Sequence, residues 1–328
     1  MTRVAAPMRL DFAGGWTDVP PFADREGGIV VNAAIDLRVE AEFSAGGKDI
    51  LLQADDLGEM VRVRGAQDLV LNGRLDLHKA ALRMFPPGPG TLRTRSAAPP
   101  GSGLGSSGAL DVALVAVLAA VRGEDLTLEE VAAQGWELEA VEVGIPGGKQ
   151  DQYAAALGGF QCLRFGGSRV TAERLSLDAA TLKELARHTV ICYTGRSRLS
   201  GDTIQRVMRA YDDGDQAVCA ALRELKTIAA AMGPALLAGD LSRIGALLSA
   251  NWACQQRLDP AMRTEEMALL EGALRKAGSL GGKAAGAGAG GAMFFLVGDD
   301  RESAVATARG VGATVLDAGW SLNGVAPC

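Results

Sequence analysis

Residues 99–110, Pro-Pro-Gly-Ser-Gly-Leu-Gly-Ser-Ser-Gly-Ala-Leu, set a run of glycine and serine directly before an apolar stretch that extends to Val121. With Gly101, Gly103, Gly105 and Gly108 so close together, the backbone lacks the Cβ atoms that would hold a ligand away, and it can adopt positive φ at little steric cost. Such a loop can wrap something small. Beyond it, Ala109, Leu110, Ala113, Leu114, Val117, Leu118 and Val121 recur at three- and four-residue steps, the spacing of a helix. The first turn of that helix has unpaired N–H groups and a partial charge of roughly +0.5, which suits a phosphate. Ser106 and Ser107 add hydroxyls that could reach phosphate or a metal ion. A flexible linker is the plain alternative, but linkers rarely run unbroken into a strongly apolar helix.

Two other phosphate motifs compare poorly. A Walker loop needs serine or threonine after Gly-Lys, whereas Gly148-Lys149 is followed by Gln150 and Gly282-Lys283 by Ala284. Gly103, Gly105 and Gly108 match the dinucleotide fingerprint, with Glu124 beyond them, yet Ala97-Ala98-Pro99-Pro100 stands where that motif requires a buried strand. An NAD-dependent oxidoreductase is therefore the remote alternative. At 328 residues and 48% apolar, the chain can bury a sizeable core and is expected to form two domains or fused lobes. A net charge of −6 without a basic run argues against a nucleic-acid partner and for small soluble substrates. Cys162, Cys192, Cys219, Cys254 and Cys328 lie far apart and read as reduced thiols, mostly in the core. With no charged leader followed by a long apolar run and no membrane-length apolar segment, the expected compartment is the cytoplasm, without a membrane partner. His78 and His188 are the only histidines, so histidine-pair chemistry is nearly excluded.

Residues 8–13 read as a strand ending in Gly14-Gly15-Trp16-Thr17-Asp18-Val19-Pro20-Pro21, a turn of the kind that carries sites. Residues 29–35 and 37–43 follow as two strands, the second alternating Leu37, Val39, Ala41 and Phe43 with Arg38, Glu40 and Glu42. Strands over 50–53, 60–64 and 91–96 and a helix over 75–84 complete a first lobe rich in strands. After the glycine loop, one helix is expected over 127–143, opened by a capping box of Thr127 and Glu130 and closed at Gly144-Ile145-Pro146-Gly147-Gly148. A segment over 149–157 and strands over 160–165 and 189–193 come next. From 200 to 276 the pattern is helical, with breaks at Asp212-Asp213-Gly214, Gly233-Pro234 and Asp259-Pro260. The glycine- and alanine-rich tract 281–291 leads into a strand over 292–297 and reads as a tight backbone crossing next to the site. A helix over 302–310 and a strand over 313–316 follow.

Ala6-Pro7-Met8-Arg9 leading to Gly15-Trp16-Thr17-Asp18, then the loop 99–110, then the tract 282–291 stand in the order and context of the three motifs of the GHMP kinases. The chain resembles that superfamily over almost its whole length. Within it, Pro99 to Ser107, Gly147-Gly148-Lys149-Gln150-Asp151-Gln152-Tyr153 and Tyr193-Thr194-Gly195-Arg196-Ser197-Arg198-Leu199-Ser200 are most similar to the D-glycero-D-manno-heptose 7-phosphate kinases and the fucokinases, which phosphorylate a sugar at its anomeric hydroxyl. Heptose kinases usually carry glycine where Trp16 stands, fucokinases carry tryptophan, and Ala289 interrupts what is usually a longer run of glycines.

The resemblance implies an α+β fold of two lobes, over 1–185 and 186–328, the first like a small-subunit ribosomal protein and the second ferredoxin-like. It implies an ATP- and Mg2+-dependent kinase acting on a heptose 7-phosphate, or alternatively on L-fucose or another unphosphorylated sugar; a homodimer is one assembly open to it. Pro100, Gly101, Ser102, Gly103, Leu104, Gly105, Ser106, Ser107 and Gly108 would hold the ATP phosphates, with Ser107 and Glu139 toward the metal ion. Asp151 would stand beside the acceptor hydroxyl as base, with Arg9 next to it and to the γ-phosphate. Asp18, Trp16, Thr17, Gly15, Gly148, Gln150, Tyr153 and Gly288 would surround the sugar, and Lys149, Arg196 and Arg198 would hold a substrate phosphate. Each has a plainer reading: helix cap or turn cap for Asp151 and Asp18, solvated helix face for Glu139, core for Trp16, surface charge for the cations. A regulatory relative that only binds sugar would lack Asp151 or Arg9, and both are present.

Overall fold

The first strand, β1 (Thr2–Ala13), is buried from Val4 onward and is twice as long as its apolar core of residues 8–13 suggests. After a short helix, α1 (Phe22–Glu26), comes β2 (Gly28–Ala45), one strand where two are expected. The apparent break is a bend. Its first part pairs with β6 (Phe160–Gly166) through Gly28–Ala33 and its last part with β5 (Gly90–Ser96), while β1 lies along it with a register shift at Pro7/Met8. Proline has no N–H to give the ladder, so the irregularity falls where it costs least. The hairpin β3 (Ile50–Ala54) and β4 (Glu59–Val63) extends the sheet, with β3 parallel to β5, and β7 (Arg169–Arg174), not expected from the sequence, pairs with β6. The computed structural model describes residues 1–167, 169–195 and 201–328, and of Gly201 and Asp202 the backbone alone.

Helices α2 (Asp76–Met84), α3 (Ser106–Arg122), α4 (Leu128–Glu137) and α5 (Gln150–Leu157) belong to this half, and α3 lies against β1 and β2 and against α4 and α5. The expected capping box opens α4: Thr127 Oγ1 accepts from the Glu130 amide while the Glu130 carboxylate accepts from the Thr127 amide. The helix does not continue unchanged to Val143, because Leu138–Val143 widens into a π turn, an irregularity found mostly at functional sites.

Helix α6 (Ala179–His188), also not expected, contains the division anticipated after residue 185, and the second sheet begins just beyond it at β8 (Thr189–Tyr193). Helices α7 (Gly201–Asp212), α8 (Gln216–Leu237), α9 (Leu241–Gln256) and α10 (Glu265–Lys276) precede β9 (Gly281–Ala284) and β10 (Ala292–Leu296), and α11 (Arg301–Gly310) joins these to β11 (Thr314–Leu316). Helix α8 runs straight through Gly233-Pro234, where a break is expected. Met232, Gly233, Ala235 and Leu236 are buried there, so packing outweighs the hydrogen bond that proline removes, and the chain turns instead at Gly239 and Asp240, which caps α9. The antiparallel order β11-β8-β10-β9 is the split βαββαβ arrangement of ferredoxin-like folds.

The two sheets share a core. Phe12 of β1 lies 5.2 Å from Phe294 of β10 and 5.9 Å from Phe160 of β6, and Phe160 lies 5.0 Å from Trp320, on the tail that returns to β2. The next residues of β10, Met293 and Phe295, face a second core with Trp252, Met267 and Leu270. A last strand, β12 (Ala326–Pro327), pairs with β1. Cys162, Cys192 and Cys254 are buried, Cys219 is half-buried, Cys328 is exposed, and all five are unpaired thiols. Among the described residues no helix is long and apolar enough to cross a membrane.

Candidate active site

The loop after β1, the glycine loop, the 139–151 stretch and the tract after β9 meet around a cleft of about 540 Å3. Gly103 and Gly105 take φ of +73° and +75°, the left-handed region, and α3 starts directly after Gly105. Only glycine adopts that backbone without strain. The loop is gripped from both sides: the Arg9 amide donates to the Leu104 carbonyl at 2.9 Å and the Ala292 amide to the Ser102 carbonyl at 2.6 Å. A Cβ on Gly286 would come within 2.5 Å of the Gly103 carbonyl, and one on Gly291 within 2.6 Å of the Ser102 carbonyl. The glycine-alanine tract is thus a backbone crossing against the loop. Gly101, Gly103, Gly105, Ser106 and Ser107 line the cleft, Ser102, Leu104 and Gly108 are buried beneath it, and Pro100 is exposed.

Asp151 enters from the first turn of α5, packed so close to α3 that a Cβ on Gly108 would sit 2.5 Å from its own. Arg9 forks onto it, Nε donating to Oδ1 at 2.8 Å and Nη2 to Oδ2 at 3.0 Å. Its third nitrogen donates to the carbonyls of Gly103 at 2.7 Å and Ala285 at 3.0 Å, so one guanidinium joins three of the converging segments. The Arg9 side chain is 6% exposed and that of Asp151 28%, which leaves the carboxylate facing the cleft.

Asp18 lies deeper, with Oδ2 accepting the Gln150 amide at 3.0 Å. Burial, with the Asp151 and Asp11 carboxylates adding to it, pushes its carboxyl up to about 7. A Cβ on Gly148 would overlap the Asp18 carboxylate, and one on Gly15 would overlap that of Asp11. Gln150 and Trp16 complete this end of the cleft. Trp16 is 4% exposed at φ +83°, and its Nε1 has no partner among the described residues.

Glu139 stands on the π turn beside the start of α3. Its carboxylate accepts from Ser107 Oγ and, at 2.9 Å, from Gln152 Nε2, which also donates to Asp111 at 3.1 Å.

The structure does not bring every expected residue to the cleft. Thr17 is fully buried, its hydroxyl held between the Gly14 and Ile29 carbonyls, because it fastens the turn and has nothing left for a ligand. Tyr153 is buried and is not among the residues lining the cleft, and Gly288 faces Met262 and Gln255. Lys149 rests its ammonium 4.4 Å from the centre of the Trp136 ring, outside the cleft lining. Arg196 and Arg198 lie outside the described residues. Conversely, the sequence reading missed Asp11 and Lys283, a buried ion pair of 2.8 Å whose side chains are 2% and 0% exposed. A carboxylate inside the apolar run 8–13 and a lysine inside a glycine-alanine tract were the available signals.

The family described as GHMP kinases N terminal domain matches residues 73–159, and GHMP kinases C terminal matches 217–314. The D-glycero-alpha-D-manno-heptose 7-phosphate kinase of Campylobacter jejuni is 31% identical over 304 residues, spanning 90% of this chain and 89% of that protein. The chain belongs to the GHMP kinases. As a member it is an ATP-dependent kinase with the family's α+β fold. This GHMP kinase also matches the bifunctional fucokinase/GDP-fucose pyrophosphorylase of Arabidopsis thaliana, 29% identical over 91% of this chain but only 30% of that protein. The crystal structure of a D-glycero-D-manno-heptose 1-phosphate kinase from Bacteroides thetaiotaomicron superposes with a TM-score of 0.82 at 25% identity, covering 100% of this chain and 99% of that one. Lactococcus lactis galactokinase complexed with galactose, at 20% identity and a TM-score of 0.80, shares the fold.

Proposed function

We propose that this GHMP kinase transfers the γ-phosphate of ATP to the anomeric hydroxyl of a D-glycero-D-manno-heptose 7-phosphate, with Mg2+ as the accompanying cation. The observation that carries the chemistry is the fork of Arg9 onto a cleft-facing Asp151. Phosphoryl transfer asks of a protein mainly positioning and charge stabilisation. Asp151 takes the proton of the attacking hydroxyl, a contribution of typically 10²–10⁴-fold. Arg9 fixes that carboxylate and sets a cation beside the transferred group. The glycine loop and the first turn of α3 receive the triphosphate, and Asp18 accepts hydrogen bonds from the sugar's hydroxyls.

Ser107 and Glu139 are the residues that would hold Mg2+. A hydroxyl and a carboxylate are the hard oxygen donors this ion takes alongside phosphate and water. Burial raises the Glu139 carboxyl above its ordinary range, a penalty that a bound cation reverses. When bound, the ion neutralises charge on the phosphate oxygens.

The sugar rests on the Campylobacter jejuni relative, named for a heptose 7-phosphate and matched over nearly the whole of both chains. A second reading, a fucokinase-like enzyme, draws on Trp16, which lines the cleft where fucokinases carry tryptophan. Coupled ADP release with heptose 7-phosphate and with L-fucose separates them. Heptose 7-phosphate is expected to support turnover at the lower concentration and to give an anomeric phosphate by phosphorus NMR. Turnover of L-fucose without turnover of the heptose phosphate replaces the first reading with the second.

A further inference from the structure

A second chamber of about 420 Å3 opens off the cleft, sharing Val19, Gly147, Ile204 and Gln205 with it and continuing past Trp136 to Arg209 on α7. Its place relative to the reacting groups follows from contacts already described. Asp18 abuts Gly148, Gly148 follows Gly147, and Gly147 belongs to both spaces. A sugar with its reacting hydroxyl at Asp151 and its ring hydroxyls at Asp18 has this chamber as an adjoining space for its far end.

The charges around the chamber are unequal. Arg209 is exposed and forms no ion pair with a carboxylate among the described residues. Asp212 is the one carboxylate among the described lining residues, and Arg25 engages it at 2.7 Å. Trp136 forms a wall, its ring fixed by Nε1–H donated to the Gly147 carbonyl at 3.3 Å, with the Lys149 ammonium 4.4 Å from the ring centre. Arg209 thus borders a space whose only described lining acid is already paired, while Lys149 is not among the residues that line it. An arginine fork is the donor that suits a phosphate ester, which carries roughly −1.5 to −2 at neutral pH.

We propose that this chamber is the subsite for a phosphate carried at the far end of the sugar substrate, held by Arg209. The inference rests on the sugar-kinase reading above, and its test lets the two fail separately. Arg209→Ala and Arg209→Lys are compared with the unaltered enzyme for kcat/KM on D-glycero-D-manno-heptose 7-phosphate, kcat/KM on the same heptose without its phosphate, and KM for ATP. The preference for the phosphate ester should fall about tenfold in Arg209→Ala, with Arg209→Lys keeping part of it and KM for ATP unmoved. An unchanged preference in an Arg209→Ala variant of normal Tm overturns this inference alone. So does a rise in KM for ATP, which would give the chamber to the nucleotide. An enzyme that turns over L-fucose and ignores both heptoses overturns the substrate reading and this subsite together.

Discussion

Asp151 combines two properties that rarely coincide, since both its oxygens are held by Arg9 and yet more than a quarter of its side chain meets the cleft. A cap or a structural ion pair needs no such opening, and a base does. Asp151→Asn should leave ATP binding within about twofold by calorimetry and lower kcat at least a hundredfold, the smaller end of what a positioned base contributes. Undiminished turnover in a folded variant removes Asp151 from the chemistry. Asp18 gives a different readout. Its carboxyl is raised to about 7 by burial, against roughly 3.9 in an unfolded chain, so its ionisation opposes folding. Stability on its account is full below pH 4, is lost as pH rises from 4 through 7, and is level above that. Asp18→Asn should be more stable than the unaltered protein at pH 8 by on the order of 2–4 kcal/mol and equal to it at pH 4, read by urea unfolding. An identical pH profile for the two proteins contradicts this assignment. Motif context singles out both aspartates in the sequence, and both line the cleft. Thr17 shows what local pattern leaves out: the residue type suits a sugar, but its hydroxyl is engaged inside the turn by Gly14 and Ile29.

At the scale of elements, local chemistry was the legible part. The glycine loop running into α3 and the Thr127–Glu130 box opening α4 depend on neighbours within a few residues, and both stand where the sequence puts them. The bend that keeps β2 whole depends on β5 and β6, and the run of α8 through Pro234 depends on packing, so neither is readable from local pattern. The connection from the π turn to α5 shows the same limit. Glycine at 148 looks like a simple turn residue, but its φ is an ordinary one, and the demand for it comes from Asp18, whose carboxylate occupies the space a Cβ would need. Gly148→Ala should displace that carboxylate without straining the backbone. The sugar KM should rise tenfold or more while the ATP dissociation constant stays within about twofold. Parallel losses in both would mean that the whole connection had shifted and that the effect is not local to Asp18.

Across the molecule, the two sheets are fastened by a few buried contacts next to the cleft. The Asp11 amide donates to the Ala285 carbonyl at 3.1 Å, Arg9 reaches the same carbonyl, and Lys283 donates both to the Asp11 carbonyl at 2.6 Å and to its carboxylate at 2.8 Å. The order of the three motifs made their convergence legible, but the partner of Lys283 is 272 residues away and no local pattern names it. Burial pulls the Lys283 ammonium below its usual range and Asp11 works against that pull, so each charge is tolerable only because the other is present. Lys283→Met removes one charge and leaves the other buried, which should cost about 3–5 kcal/mol in urea unfolding. Asp11→Asn combined with Lys283→Met should cost less than the sum of the two single changes, because no orphaned charge then remains. Since Asp11 and Arg9 lie two residues apart on β1, the Lys283 variant should also lose turnover in proportion to the misplacement of Asp151, and the double variant should regain part of it. Additive unfolding energies around this cycle would mean that the pair is two independent buried residues and that its charges do not couple the two lobes.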